Sequence, residues 1–240
     1  TLASVGGGGA PRAPEQVRSI EKSFTNALPS TGWGMTETNA IGTGIGGLDY
    51  LAHPESSGRC SAVMELQVID EQGNELAAGE RGELLIRGAA VFRGYWERPD
   101  ANAETFLPGG WMRTGDVAYL DDESYLYIVD RIKDLVIRGG ENISAKEIED
   151  VLHAHPDIRE AAVVSMPHAR LGEGVCAFLT GQSNEFGALK LTVADLYPFL
   201  SQSGLARQKW PEKVVVLDDF ERTASGKIRK DLLRQGLRED

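Results

Sequence analysis

The period of the apolar pattern changes once along this chain, near residue 130, and that change limits the folds open to it. Before it, residues 61–70 alternate, with Met64, Leu66 and Val68 on one face as in a half-buried strand. Asp70-Glu71-Gln72-Gly73-Asn74 then supplies turn chemistry, and Gly82-Glu83-Leu84-Leu85-Ile86-Arg87-Gly88 resumes an extended pattern, so the pair reads as hairpins. Residues 117–120 and 125–130 flank the acidic tetrad Asp121-Asp122-Glu123-Ser124, a further strand-turn-strand arrangement. Beyond it the spacing becomes helical. Ser144-Ala145-Lys146-Glu147 has the form of a capping box and leads into Ile148, Val151 and Leu152. Thr192 and Asp195 cap a second helix carrying Leu196, Phe199 and Leu200, while residues 161–166, 175–180 and 213–217 read as buried strands. The expectation is a mixed α/β chain, β-rich from about residue 58, with a small α+β domain from 131 to 240. The boundary falls in Asp130-Arg131-Ile132-Lys133-Asp134, a charged segment without period.

Lys plus Arg number 25 against 36 for Asp plus Glu, so the formal charge is −11. An acidic surface argues against sequence-independent binding of nucleic acid or of an anionic membrane, each of which needs a basic face. No apolar run reaches the roughly 18 residues of a membrane span, and no basic stretch leads into a short apolar block at the start, so the expected address is cytoplasmic. Cys60 and Cys176 are far apart and lack a CxxC partner. That fits a reduced compartment and excludes a disulfide scaffold or a cysteine zinc site. Thr1 leads directly into the glycines at 6–9, as in a piece of a longer chain.

Taken singly, the motifs are weak. Gly42-Thr43-Gly44-Ile45-Gly46-Gly47 satisfies GxGxxG, but no strand before it and no helix after it is legible, so it reads as a loop and not as a dinucleotide fold. His153 and His155 are two apart where a helical metal pair needs three or four, and imidazoles near the last helical carbonyls explain them. Lys227 in Thr223-Ala224-Ser225-Gly226-Lys227, Asp116 after Arg113-Thr114-Gly115, and Thr36-Glu37 would each pass as ordinary loop residues.

In order and spacing, however, these blocks together resemble the adenylate-forming superfamily of acyl-CoA synthetases, nonribosomal adenylation domains and luciferases. Gly8-Gly9-Ala10-Pro11 resembles its adenine-edge loop, and Gly32-Trp33-Gly34-Met35-Thr36-Glu37-Thr38 its aromatic-Gly-x-Thr-Glu motif. Gly82-Glu83-Leu84 through Gly94-Tyr95-Trp96 matches the next block, followed by Trp111-Met112-Arg113-Thr114-Gly115-Asp116. Asp130-Arg131-Ile132-Lys133-Asp134 with Gly139-Gly140-Glu141-Asn142-Ile143, and finally Thr223 to Lys227, complete the series. The resemblance implies a β-rich remnant of the large domain (1–130) followed by a small mobile α+β C-terminal domain (131–240).

It implies a chemistry as well. A carboxylate is a poor electrophile, so ATP first converts it to an acyl-adenylate, expelling pyrophosphate, and the thiol of coenzyme A then displaces AMP. By resemblance, Lys227 is the cation that stabilises charge on the α-phosphate as it is attacked. Glu37 offers a hard carboxylate for Mg²⁺ and Thr36 a hydroxyl for a phosphate oxygen. Gly9, Ala10 and Pro11 line the adenine edge, Trp33 gives the ring a face, and Asp116 and Arg131 meet the ribose. The small domain swings about Lys133, exchanging Lys227 for an edge at Gly140 where the pantetheine arm of CoA passes. Gly34, in place of a tryptophan that closes the acyl pocket in acetyl-specific relatives, leaves room for a medium- or long-chain fatty acid or an aryl acid.

Two departures stand beside these matches. The Ser/Thr/Gly-rich phosphate loop ending in Lys-Gly is missing, so residues 1–240 by themselves are not expected to carry out the first half-reaction. Asp219-Phe220-Glu221-Arg222 puts an acid where many relatives have a leucine-proline step. The alternatives are an adenylation enzyme that loads a carrier protein and a non-catalytic binding protein of the same fold.

Overall fold

The computed structural model describes residues 2–7, 12, 14–181, 191–224 and 226–239. It divides the chain into two compact units, Thr1–Ile132 and Lys133–Asp240.

The first unit contains β1 (Ser4–Gly6), α1 (Pro14–Ser23), β2 (Leu28–Thr31), β3 (Thr43–Gly46), α2 (Gly47–Ala52), β4 (Gly58–Cys60), β5 (Met64–Ile69), β6 (Gly82–Gly88), α3 (Pro99–Thr105), β7 (Met112–Leu120) and β8 (Tyr125–Arg131). Its eight strands run in the order β1-β2-β3-β4-β8-β7-β6-β5. Only β1 and β2 pair in parallel; every other neighbour is antiparallel. The expected hairpins are present, and their turns are held as the residue types suggest. Asp70 Oδ1 accepts from the amides of Gln72 and Asn74, and Asp121 Oδ1 from those of Glu123 and Tyr125. One apolar face of β5 to β8 is buried as Val68, Leu84, Ala118 and Leu126.

One expectation is corrected here. Residues 42–47 are not a loop: after a bend at Gly42, Thr43–Gly46 form β3, and Gly47 opens α2. Local sequence is a poor guide to this stretch because β3 is held by neighbours on both sides, β2 and β4, and α2 by its buried Tyr50, which packs with Val17, Ile45 and Tyr125. The strand is antiparallel to both neighbours, unlike a dinucleotide-binding unit. The charged segment 130–134 has local structure of its own, and the division between the two units falls within it. Asp130 and Arg131 close β8, with Asp130 buried, and Ile132–Asp134 is a single 3₁₀ turn.

The second unit contains β9 (Val136–Arg138), β10 (Glu141–Ile143), α4 (Ala145–His153), β11 (Ile158–His168), β12 (Gly172–Gly181), α5 (Val193–Gln202), β13 (Lys213–Leu217) and α6 (Lys230–Glu239). Its five-stranded sheet follows β10-β9-β12-β11, with β13 pairing in parallel to β12. Alternate residues of β12 serve two cores. Val175, Ala177 and Leu179 pack with Ile148, Leu152, Leu196 and Leu200 of α4 and α5, while Cys176 and Phe178 face Leu233 and Leu237 of α6. Both helix starts are where their caps predict. Thr192 and Asp195 form the full reciprocal box, but at Ser144 only half of it is made: the hydroxyl accepts from the Glu147 amide at 3.2 Å, while the Glu147 carboxylate takes Lys209 Nζ at 2.7 Å. An ion pair outcompetes the return bond. His155 lies beyond α4, where its Nδ1 accepts from the Asp157 amide and its ring meets Phe199, so it does not cap the helical carbonyls.

The described cysteines are free, and burial pushes the Cys176 thiol up to about 12. Because the neutral thiol is the form the fold retains, this stabilisation is complete below the unfolded thiol's ordinary 9.0 and falls away as pH rises toward about 12. Cys176 is therefore expected to stay unreactive toward an aromatic disulfide reagent at pH 8 until urea unfolds the protein, with Cys60 the first thiol titrated. Thr192→Ala should cost about 1 kcal/mol in urea unfolding by removing the hydroxyl that accepts from the Asp195 amide and donates to its carboxylate, while the Thr192 amide keeps its own bond to Asp195.

Candidate active site

In the first unit the expected nucleotide residues converge on one carboxylate. Asp116 stands on β7 directly opposite Arg131 on β8. Arg131 Nε donates to its Oδ1 at 2.5 Å, and Trp33 Nε1 to its Oδ2 at 2.9 Å. The side chain is only 6% exposed, so the two donors offset the cost of burying its charge. Its height in the sheet is fixed from below: Thr114 Oγ1 donates to Leu84 O at 2.8 Å and accepts from the Asp116 amide at 3.1 Å. Trp33 is fixed from the other side by Thr43, whose hydroxyl accepts from the Trp33 amide at 3.1 Å and whose own amide donates to the Trp33 carbonyl at 2.8 Å. Three segments distant in sequence thus meet at one carboxylate that keeps lone pairs for further donors.

Next to Trp33, Thr36–Thr38 forms a 3₁₀ turn presenting an exposed Thr36 and a half-buried Glu37. Glu37 Oε1 accepts from the Tyr95 hydroxyl at 2.8 Å, and the Glu37 carbonyl accepts from the Phe92 amide at 2.8 Å. Burial, and then the Glu37 carboxylate, push the Tyr95 phenol up. Tyr95 is held in turn by Asn102 of α3, whose side chain accepts from its amide at 2.7 Å and donates to its carbonyl at 2.9 Å. Sequence reasoning gave Tyr95 no role although it sits in the Gly94-Tyr95-Trp96 block; Asn102, at a helical position with no motif, left no signal. Among the described residues no group of three or more His, Cys, Asp or Glu gathers as a metal site. Glu37 fits a magnesium ion in a narrower sense: it is a single carboxylate with one oxygen already oriented, suited to an ion whose remaining ligands are phosphates and water.

Gly34 has a backbone reason to be glycine. A Cβ there would lie 2.5 Å from the Ala40 carbonyl oxygen. Any side chain therefore displaces the turn that carries Thr36 and Glu37. Gly9, Ala10 and Pro11 lie outside the described residues.

In the second unit, Lys133 lies in the 3₁₀ turn Ile132–Asp134, and its neighbour Asp134 is tied to Arg234 of α6 by an ion pair. Gly139 and Gly140 form the two-residue turn of the β9–β10 hairpin, since Arg138 pairs with Glu141. Both glycines have positive φ, 61° and 91°, as a tight primed turn requires, and a Cβ on Gly140 would meet nothing within 4 Å. Lys227 is exposed, following Gly226 in a loop closed by its own backbone. Each unit so far holds its own part of the expected set.

The blocks, their order and this fold are those of the adenylate-forming superfamily. The model of the AMP-binding enzymes matches residues 1–96 and that of the AMP-binding enzyme C-terminal domain residues 147–227. The chain belongs to the AMP-binding enzyme family. It is 38% identical over 182 residues to a medium-chain fatty-acid–CoA ligase of Escherichia coli, covering 76% of this chain and 32% of that one. It is 42% identical over 176 residues to the pyochelin synthase PchD of Pseudomonas aeruginosa, covering 73% and 31%. Among solved structures, o-succinylbenzoate CoA synthetase of Bacillus subtilis in complex with its acyl-adenylate intermediate superposes with a TM-score of 0.85 at 31% identity, over 96% of this chain and 45% of that one. The chain spans about a third of the length of these curated relatives.

Replacing Asp116 by alanine leaves the Trp33 indole N–H and the Arg131 guanidinium without their shared acceptor. Asp116→Ala should cost about 1–3 kcal/mol in urea unfolding, with altered tryptophan emission in the folded baseline. A loss under about 0.5 kcal/mol, the range of an ordinary surface change, would show that the carboxylate does not organise the site.

Proposed function

We propose that this chain is part of an ATP-dependent acid–CoA ligase that makes an acyl-adenylate and then an acyl-CoA thioester. The observation that carries the reading is the convergence of Trp33, Asp116 and Arg131 within a family whose relatives include acid–CoA ligases. In this reading Trp33 gives adenine a face, and Asp116, already oriented, accepts from the ribose hydroxyls. Thr36 donates to a phosphate oxygen, and Glu37, held by Tyr95, takes the Mg²⁺ that neutralises the phosphates. Gly9, Ala10 and Pro11 complete the adenine edge. Lys227 is brought to the α-phosphate for the first half-reaction, where a compact ammonium stabilises charge that is greatest in the transition state. A swing about Lys133 then withdraws it and brings in Gly140, whose open side leaves a path for the pantetheine arm.

A medium- or long-chain fatty acid or an aryl acid is the preferred substrate. The match to the Escherichia coli ligase supports a fatty acid, and the acyl-pocket role of Gly34 rests on resemblance alone. A second reading, an enzyme that delivers the acyl group to a carrier protein, is favoured by the 42% identity to pyochelin synthase. Thioester formation with a carrier protein but not with free CoA would decide for it.

The two steps separate by mutation in the full-length ligase. Lys227→Ala should slow acyl-adenylate formation by on the order of 10² to 10³ and leave thioester formation from supplied acyl-adenylate and CoA nearly unchanged. Gly140→Leu should do the reverse. Because Gly140 has φ 91°, the leucine also strains the turn, so thermal unfolding must accompany the rates. Parallel losses in both steps for Lys227→Ala would defeat the assignment.

A further inference from the structure

Sequence comparison draws attention to the lysine at 227, whereas the structure draws it to the residue that closes the loop beneath it. Arg222 forms an isolated antiparallel bridge with Ile228. Its Nη2 lies 2.7 Å from each carboxylate oxygen of Glu160 on β11, and its Nη1 donates to the Gly226 carbonyl at 3.2 Å. One guanidinium therefore joins a strand of the sheet to the backbone of the residue immediately before Lys227.

Within the loop, the Thr223 amide donates to the Lys227 carbonyl at 2.9 Å and the Gly226 amide to the Thr223 carbonyl at 2.9 Å. The Lys227 amide in turn donates to Thr223 Oγ1 at 3.2 Å. On either side, Phe220 and Ile228 pack into the cluster of Ala162, Val164, Cys176 and Phe178. Asp219 pairs with Arg159 at 3.2 Å and lies 3.9 Å from Arg222.

We propose that Arg222 is a positioning residue for Lys227, holding the loop to β11 through Glu160 so that the ammonium is presented in one place. This rests on the reading of Lys227 as the adenylation cation. Most exposed ion pairs contribute little, because they tie two mobile side chains to each other. This one differs in what it joins: Glu160 is anchored in a sheet, and Arg222 also holds a main-chain carbonyl. A planar guanidinium can reach both acceptors at once and an ammonium cannot, so lysine is not a substitute at 222. An error of about 1 Å in a catalytic group costs up to 10²-fold in rate, which sets the scale of what the tether protects.

Two measurements test this. In the 240-residue protein, Arg222→Ala should speed exchange of the Gly226 and Lys227 amides by on the order of 10-fold, without affecting amides of the β11–β12 core. In the full-length ligase, Arg222→Ala should slow acyl-adenylate formation by on the order of 10- to 10²-fold and spare thioester formation from supplied acyl-adenylate. Because Arg222 acts through Lys227, the Arg222→Ala/Lys227→Ala double variant should be no slower than Lys227→Ala alone.

If Lys227→Ala leaves adenylation at the wild-type rate, the reading of Lys227 is wrong and the proposal falls with it. If Lys227→Ala is slow but Arg222→Ala is not, or if the two losses multiply, the proposal alone is overturned. Should Arg222→Ala fail to fold, Glu160→Gln, which keeps the side-chain volume and removes the partner charge, undergoes the same comparisons.

Discussion

A carboxylate that loses nearly all its water must be given partners, and in the first unit that requirement brings the rest of the site together. Asp116 is placed by the pairing of β7 with β8, and its two oxygens then draw in Arg131 from the same sheet and Trp33 from the segment after β2. Once Trp33 is fixed, the following turn has little freedom, because the Ala40 backbone lies against Gly34. Thr36 and Glu37 are therefore presented from a position that the sheet determines. The carboxylate to which the proposed function assigns the ribose also holds the aromatic ring beside it. In that proposal, recognition and local structure share one set of hydrogen bonds.

The second unit is organised differently, around a strand with two apolar faces. β12 alternates between the α4–α5 core and the α6 core, and its length lets β11, β9 and β13 all pair with it. The elements to which the proposed function gives a role are the short ones at its margins: the Gly139-Gly140 turn, the 3₁₀ turn at Lys133 and the loop before Lys227. Each is held by a few specific contacts and not by the core. Gly139 donates to Leu171 O, Asp134 pairs with Arg234, and Arg222 reaches Glu160. Such elements can change position without unpacking the sheet.

How much of this was legible follows from where the information lies. Period-two and helical patterns, caps and acidic turns are local properties, so β5 to β8, α4, α5 and the strands β11 to β13 could be read from residues near one another. The strand at Thr43–Gly46 and the helix after it could not, because their stability comes from β2, β4 and Tyr125, none of which is a neighbour in sequence. The half-made box at Ser144 failed for a similar reason: Lys209, which takes the Glu147 carboxylate, is 62 positions away. Within the site, residue types identified Asp116, Arg131 and Trp33 as candidates by resemblance, but not that they touch. Tyr95 was visible as part of a motif without a task, and Arg222 only as the last residue of the segment 219–222 that departs from the family pattern. Their partners, Glu37 and Glu160, are the missing information.

The parallel pairing of β13 with β12 sets an order of assembly. β11 and β12 are joined by a short turn and can zip from it, so their contacts come at a small entropic cost. β13 reaches β12 only after the chain has crossed over through α5, and the cost of closing that crossover falls before its contacts are made. The segment carrying Lys227 follows β13, while its anchor, Glu160, is on the early hairpin. The anchor of the lysine loop thus lies on a hairpin closed by local contacts, whereas the loop itself follows a strand that depends on a long-range closure.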